Sequence, residues 1–303
     1  MALMRTFDDF EAWNDAILGA ELRTVCPRAE THRWGIGAVS LGAVAVQIAE
    51  EGGGNLAYGR SVHAGPILFL PLTRVGDHVA NGERLDAGSL LVIPPGSDFR
   101  ISVVRRAHSW CSIALPPAGP GPAAWMSSGR IAPGAASVRA LKRLAVGAYG
   151  ALGAFPRESP AHAAAGIELS AAAAACMPGG VSGAVLGGRP RIDRAGIIRR
   201  MMELIECSHE VVVSPAAVAA AVGIHERTLQ RAVHETFGTG TKHYLLLRAL
   251  HSMRRRLSKP ADGSTGVTEI LAGMGIWEFG RFAGRYRRHF GELPSETLRR
   301  ARG

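Results

Sequence analysis

A chain of 303 residues is long enough for about two domains at roughly 100–200 residues each. With 47% apolar and 20% charged residues it holds material for ordinary cores, which excludes a wholly disordered or collagen-like chain. The net charge of +10 is unevenly placed: residues 1–188 carry 15 Lys+Arg against 14 Asp+Glu, and residues 189–303 carry 20 against 11. Such segregation fits a polyanionic partner, nucleic acid above all, although a solvated basic surface would have the same composition.

The first 30 residues contain Asp8, Asp9, Glu11, Asp15 and Glu21 and no apolar segment, so no secretory signal is expected. The Ala-rich stretch around Ala163–Met177 includes Glu168 and falls short of the ~20 apolar residues of a membrane span. Cys26, Cys111, Cys176 and Cys207 form no Cys-x-x-Cys pair, which predicts free thiols in a reducing cytoplasm rather than a zinc site or disulfides.

Along the chain, Phe7, Phe10, Trp13, Ile17 and Leu18 fall three or four apart, which predicts a helix over Phe7–Leu22. From Thr31 to Leu115 the pattern is β. Val44–Ile48 and Leu56–Val62 flank the turn cluster 50–55 and predict a hairpin. Further short runs lie at Pro66–Leu72, Ser89–Ile93, Ile101–Val104 and Ser109–Leu115, separated by turn chemistry at Asp86-Ala87-Gly88 and Pro94–Ser97. Many short strands so punctuated indicate a sandwich, barrel or jelly roll.

Pro116–Pro122, with four prolines in seven residues, is a loop. Helices follow over Ser137–Tyr149 and Pro160–Cys176, and they serve equally as a dimer contact or as a cover for the β domain. Residues 178–190, with five Gly and two Pro, mark a linker between a domain 1–177 and a domain 191–303.

After Arg191 the pattern changes to short helices. Arg194–Ser208 has helical spacing, and Ser214-Pro215 supplies an N-cap with Pro at the first helical position. The next helix ends at Gly223, and the basic helix Glu226–Phe237 ends at Gly238. A long helix spans Lys242–Ser258, and the pattern then repeats with Val267–Ala272, Glu278–Phe290 and a last helix from Pro294. Two helix-turn-helix units about 50 residues apart, carrying most of the net charge, are a far stronger signal than one.

Residues 218–231, from Val218-Ala219-Ala220-Ala221 through Gly223-Ile224-His225-Glu226-Arg227-Thr228-Leu229-Gln230-Arg231, resemble the first unit of the arabinose-regulator (AraC/XylS) family of bacterial transcription factors. Gly238, Tyr244 and Arg248 continue the likeness. Ile270, Ala272, Gly275-Ile276, Phe282, Tyr286 and Phe290-Gly291-Glu292-Leu293-Pro294-Ser295 fall on the diagnostic run of the second unit. Trp277–Phe282 is most similar to the branch that includes ethanolamine-utilisation regulators. The resemblance covers about a third of the chain.

It implies that Arg227, Gln230 and Arg231 face base edges and phosphates, which suits forked Arg–guanine and Gln–adenine pairing. In the second unit the positions that usually face bases fall on Phe279, Gly280, Ala283 and Gly284, which offer few hydrogen bonds, so contact with thymine methyls or DNA shape would supply any preference. Arg281, Arg285 and Arg288 form a basic stripe expected on phosphates. Trp277 and Tyr286 are expected in the core.

The family commonly senses small molecules through an N-terminal cupin-like β-barrel. Gly88-x5-Pro94-x-Gly96-x2-Phe99 keeps the spacing of the second cupin motif, but Phe99 stands where a metal-binding His belongs, and His63 and His78 stand alone. No metal and no other cofactor is therefore expected. Trp34, Tyr58, Phe69 and Trp110 are candidate linings of an effector pocket.

The expectation is an α+β protein: a cupin-like β-barrel or jelly roll with linking helices, then an all-α domain with two helix-turn-helix units. It would be a cytoplasmic, nucleoid-associated homodimer, a non-enzymatic and effector-responsive activator. Its partners would be double-stranded promoter DNA in two successive major grooves, RNA polymerase and a small molecule, with no membrane. The alternatives are a cupin enzyme with an appended helical domain and a constitutive DNA-binding protein. A methyl-accepting repair regulator is disfavoured by the scattered cysteines.

Overall fold

Three consecutive glycines carry the chain from one β-sheet to another. The computed structural model describes residues 4–104, 106–117, 129–152, 159–177, 193–208, 214–259 and 265–302. The expected loop 116–122 is described only through residue 117, and the expected linker 178–190 lies outside the described residues. The chain divides into two compact units, Met1–Gly187 and Gly188–Gly303.

In the first unit, β1 (Arg5–Phe7), β3 (Trp34–Leu41), β4 (Val44–Glu51), β6 (Ile67–Pro71), β9 (Leu90–Ile93), β11 (His108–Ala114) and β12 (Gly129–Ile131) form one sheet. Its order is β1-β3-β4-β11-β6-β9-β12. The second sheet has the order β2-β5-β10-β7-β8, from β2 (Ala20–Val25), β5 (Asn55–Ser61), β7 (Val79–Ala80), β8 (Glu83–Arg84) and β10 (Asp98–Val103). All the pairings are antiparallel.

The expected hairpin between Val44–Ile48 and Leu56–Val62 is therefore incorrect. Strand β4 pairs β3 and β11, whereas β5 pairs β2 and β10. Gly52, Gly53 and Gly54 cross between the sheets at a point where other backbone crowds them. A Cβ there would lie 2.4 Å from the Thr31 carbonyl, 2.3 Å from that of Arg28 and 2.3 Å from that of Val103, respectively. Glycine is used here for close approach rather than for a tight turn.

The two sheets face each other across a core that includes Phe10, Trp13, Trp34, Phe69, Phe99 and Trp110. The outer face of the seven-stranded sheet is covered by α2 (Ala135–Leu152) and α3 (Pro160–Ala175), which bury Val138, Leu141, Ala145, Leu169 and Ala173 against Val46, Leu68, Val92 and Ile113. A sheet covered on both faces explains why Ile67–Pro71 and Leu90–Ile93 are apolar throughout rather than alternating.

The expected helix over Phe7–Leu22 reduces to α1 (Phe10–Asn14) between two strands. Asp9 caps it through Ala12 N–H at 3.0 Å, and Phe10 and Trp13 enter the inter-sheet core. The chain then turns at Gly19 (φ +83°), and Ala20–Val25 is drawn into six-residue pairing with β5. Tertiary pairing overrides the local spacing.

In the second unit, α4 (Arg194–Cys207), α5 (Pro215–Val222), α6 (Glu226–Phe237), α7 (Thr241–Ser258), α8 (Val267–Ala272), α9 (Phe279–Phe290) and α10 (Pro294–Arg302) form two helical groups that share α7. Toward its N-terminus, Tyr244 stacks on Phe237 at 4.4 Å between centroids and donates its hydroxyl to Met202 Sδ at 3.3 Å. Toward its C-terminus, Ala249, Leu250, Met253 and Leu257 pack with Ile270, Leu271, Phe282, Tyr286 and Leu298. Among the described residues no helix is long and apolar enough to cross a membrane.

Candidate nucleic-acid interface

The first unit of the helical domain is built by caps. Ser214 Oγ accepts from Ala217 N–H at 3.3 Å, Pro215 opens α5, and Gly223 leaves it at φ +74°. Ile224 N–H then closes on the Ala219 carbonyl at 2.9 Å, and α6 starts three residues after the glycine. Helix α6 is strongly two-faced: Leu229, Ala232, Val233 and Phe237 are buried, and Arg227, Gln230 and Arg231 are exposed together on the other side.

Two of these three side chains already have partners. Gln230 Nε2 donates to Glu226 Oε1 at 3.0 Å, and Arg231 Nε donates to Glu235 Oε1 at 2.8 Å. The Arg231 hydrogen bond, with the Arg194 charge beside it, holds the Glu235 carboxyl below its ordinary range. Because all are solvent-exposed, these ties are weak and would exchange readily for bases or phosphates.

In the second unit, α8 ends in a turn whose Gly275 lies at φ +70°, and α9 follows. Phe282 and Tyr286 point inward, and the Tyr286 hydroxyl meets Thr297 Oγ1 at 2.8 Å. The core expectation fails for Trp277, which is 73% exposed. Ile276 takes the inward position of the turn and turns its neighbour out, so the indole stands at the start of α9, 6.3 Å from the Phe279 ring.

Of the expected stripe, Arg281 and Arg288 are exposed and Arg285 is half-buried; Arg281 Nη1 donates to Glu278 Oε1 at 2.9 Å. Phe279, Ala283 and Gly284 are half-buried and Gly280 is exposed. Lys242 and Arg285 join Trp277 and Phe282 around a groove of about 350 Å³, in which Lys242 and Trp277 were not foreseen. Their signal was weak: a single Lys at a helix start and a Trp that composition assigns to a core.

Helix α10 is tied to α7 through Glu292. It accepts from Arg254 Nη1 at 2.8 Å, from Thr297 Oγ1 at 2.8 Å and from both terminal nitrogens of Arg300 at 2.7 and 2.9 Å. Burial alone would raise its pKa, but the hydrogen bonds from Arg300 and Thr297 and the Arg254 charge outweigh it and bring the carboxyl down to about 2.

The β unit holds a cavity of about 60 Å³ between its sheets. Phe69 and Trp110 line it, but Trp34 and Tyr58 do not. Trp34 is packed deeper in the inter-sheet core, edge-on to Phe10 at 5.9 Å. Tyr58 lies on the outer face of β5, opposite Arg23 and Arg100, because the inward positions fall to Ala57 and its register partners. Polar residues not expected there also line the cavity: Glu51 and Asn55 from the expected turn, Gln47 and Ser112 from expected strands, and Thr24.

Glu51 Oε1 accepts from Trp110 Nε1 at 2.6 Å and from Asn55 Nδ2 at 2.6 Å, and it lies 3.4 Å from His108 Nε2. Burial opposes charge on His108, but the Glu51 carboxylate outweighs it and holds that imidazole above its ordinary range. His78, 5.0 Å from His108 between centroids, is pushed down to about 4 by burial and by the His108 charge. Among the described residues no three His, Cys, Asp or Glu side chains converge as a metal site.

Residues 218–300 match a family model described as a helix-turn-helix domain. Over 110 residues the chain is 34% identical to the "Probable thc operon regulatory protein" of Rhodococcus erythropolis, covering 36% of this chain and 33% of that one. Over 101 residues it is 38% identical to "XylDLEGF operon transcriptional activator 3" of Pseudomonas putida, covering 33% and 30%. The helical unit is a helix-turn-helix domain similar to those of operon regulators. The match spans about a third of the length of these curated relatives. Among solved structures, an AraC-family regulator from Rhodopseudomonas palustris aligns at 31% identity over 36% of this chain and 99% of its own, with a TM-score of 0.31. The AraC-like transcriptional activator CuxR aligns at 12% identity over 84% and 96%, with a TM-score of 0.42.

Proposed function

We propose that the chain is a sequence-specific DNA-binding transcription regulator in which α6 and α9 enter successive major grooves of promoter DNA. The observation that carries this reading is the exposed Arg227–Gln230–Arg231 face of α6, held outward by a fully buried opposite side and set in a helix-turn-helix unit. Gln230 and the arginines supply forked pairing to adenine and guanine. Arg281, Arg285 and Arg288 on α9 supply phosphate contacts, which position the domain without reading sequence.

The inter-sheet cavity supports an effector-responsive role for the β unit, with ligand binding shifting the population competent for promoter contact. Polymerase recruitment, a homodimer and a cytoplasmic location belong to the same reading, and likeness to operon regulators, rather than any catalytic constellation, favours a non-enzyme. Chromatin capture of the tagged protein in its native cell, followed by footprinting with and without a metabolite extract, tests it. Discrete sites whose occupancy changes with the extract are the expected result. Diffuse binding lost uniformly with salt would leave a basic protein without sequence preference, and discrete sites indifferent to the extract would leave a constitutive regulator.

A further inference from the structure

The wall of the β-unit cavity is chemically one-sided. Among the described residues that line it there is no Lys and no Arg, and the one charged group is the Glu51 carboxylate. Both indole donors in the wall are already spent inside the protein: Trp110 Nε1 on Glu51, and Trp13 Nε1 on the Gly35 carbonyl at 3.0 Å.

Two unspent polar atoms of the wall are buried oxygens. Asn55 gives its Nδ2 to both Glu51 oxygens, at 2.6 and 2.8 Å, which fixes the amide orientation and leaves Oδ1 as an acceptor. That Oδ1 is buried and has no hydrogen-bond partner, and Asn55 as a whole is 5% exposed. Thr24 Oγ1, on a residue 4% exposed, is likewise buried and unpartnered. Buried polar atoms left unpaired are uncommon and costly, and two of them beside one cavity mark a place for a partner from outside the chain. Gln47 Oε1 already accepts from Leu18 N–H at 3.4 Å, which leaves its Nε2 as a donor, and the hydroxyls of Thr24 and Ser112 can donate as well as accept, so the preference rests on Asn55 Oδ1 and the Glu51 charge.

Resting on the effector-responsive reading above, we infer that the cavity takes a small molecule that presents hydrogen-bond donors and positive charge, a primary ammonium on a short apolar body. Its N–H groups go to Asn55 Oδ1, Thr24 Oγ1 and the Glu51 carboxylate. Its carbon skeleton lies against Trp13, Phe69 and Trp110, whose ring faces favour a cation. A carboxylate or phosphate ligand would meet the Glu51 carboxylate with no Lys or Arg in the wall to balance a second anion, His108 being already engaged by Glu51. About 60 Å³, at roughly 10–15 Å³ for each water-sized occupant, suits a ligand of some five heavy atoms.

The test is calorimetric titration of the full chain with n-butylammonium, butyrate and n-butanol at matched ionic strength. Saturable one-site binding of n-butylammonium is expected, with n-butanol at least tenfold weaker and butyrate silent. Thr24→Val removes a hydroxyl that bonds nothing in the protein, so it should fold with an unchanged or higher Tm and weaken n-butylammonium about tenfold. Binding of butyrate in preference to n-butylammonium, or equal binding of all three, overturns the assignment, as does a Thr24→Val variant that folds and binds n-butylammonium as tightly as the parent. DNA footprinting with metabolite extract separates the two levels. If n-butylammonium fails to bind while extract still shifts DNA occupancy, the ligand class falls and the sensing reading stands. If extract also does nothing, both fall.

Discussion

Gln230 and Arg285 carry different expectations because their surroundings differ. Gln230 is exposed on α6 with an amide that can pair in two directions with one base, so its loss removes information. Gln230→Ala should relax base preference at one operator position by about 1–3 kcal/mol while leaving the salt dependence of binding unchanged. Arg285→Ala should instead weaken binding to all sequences alike and reduce the magnitude of the log-affinity against log-salt slope by about one. Binding titrations on a one-position operator library at several salt concentrations check both, and equal loss of preference from the two changes would contradict the division.

Glu292 makes a prediction of stability rather than of recognition. Its folded pKa of about 2 lies below the unfolded value near 4.3, so its contribution is present above the unfolded value and lost as pH falls through the folded one. Glu292→Gln should destabilise the helical unit by about 1–2 kcal/mol at neutral pH, a figure reduced for partial solvent screening. The difference from the parent should close between about pH 4.5 and 2 in urea titrations followed by circular dichroism at 222 nm. A difference that persists undiminished at pH 2 would show that the loss is one of shape rather than charge.

At the scale of elements, α9 contains two glycines that the chain itself does not require. A Cβ at Gly280 or Gly284 would meet nothing within 4 Å, and both sit inside a twelve-residue helix, where Gly costs about 0.5–1 kcal/mol relative to Ala. Each Gly→Ala change should therefore raise the Tm of the free protein. If α9 lies close to DNA at these positions, as proposed, the same changes should weaken operator binding, so the two effects run in opposite directions. Thermal unfolding and operator titration of the double variant decide the matter, and higher stability with unaltered affinity would move the DNA contact off this face.

The helices of the second unit were legible because local chemistry ends them: Ser214-Pro215, Gly223, Gly238 and Gly291 are caps that act within one turn. Strands β4 and β5 were legible as strands but not as members of different sheets, since pairing is decided by residues far away in sequence. The triple glycine that resembles a hairpin is in fact where three carbonyls crowd the backbone. The same limit hid the cavity. Glu51 and Asn55 flank those glycines and look like turn residues until the crossing turns both inward to meet Trp110 and His108. Trp277 escaped for a smaller reason, because hydrophobicity alone does not tell which of two adjacent apolar residues in a turn points inward.

Across the whole molecule, the two units have separate cores and titrate for different reasons, so pH should move their stabilities apart. In the β unit, His78 has a folded pKa of about 4 against about 6.5 unfolded. The unfolded chain binds the extra proton between those values, so stability falls as pH drops from 6.5 to 4, by at most about 3 kcal/mol. His108 acts oppositely: its raised folded pKa adds stability that is fully present below pH 6.5 and lost as pH rises through the folded value. The Glu292 contribution in the helical unit stays intact until pH falls below about 4.5. Trp13, Trp34 and Trp110 are buried in the β unit and Trp277 is exposed in the helical one, so fluorescence changes on unfolding follow the β unit while ellipticity at 222 nm weights the helical one. Between pH 6.5 and 4.5 the fluorescence midpoint in urea should move to lower concentration and the ellipticity midpoint should hold. In His78→Gln, whose amide can still donate to the Arg74 carbonyl, only the His108 effect remains, and the fluorescence midpoint should stay level or rise over the same interval. A parent-like fall in His78→Gln would show that the buried imidazole is not the group that titrates.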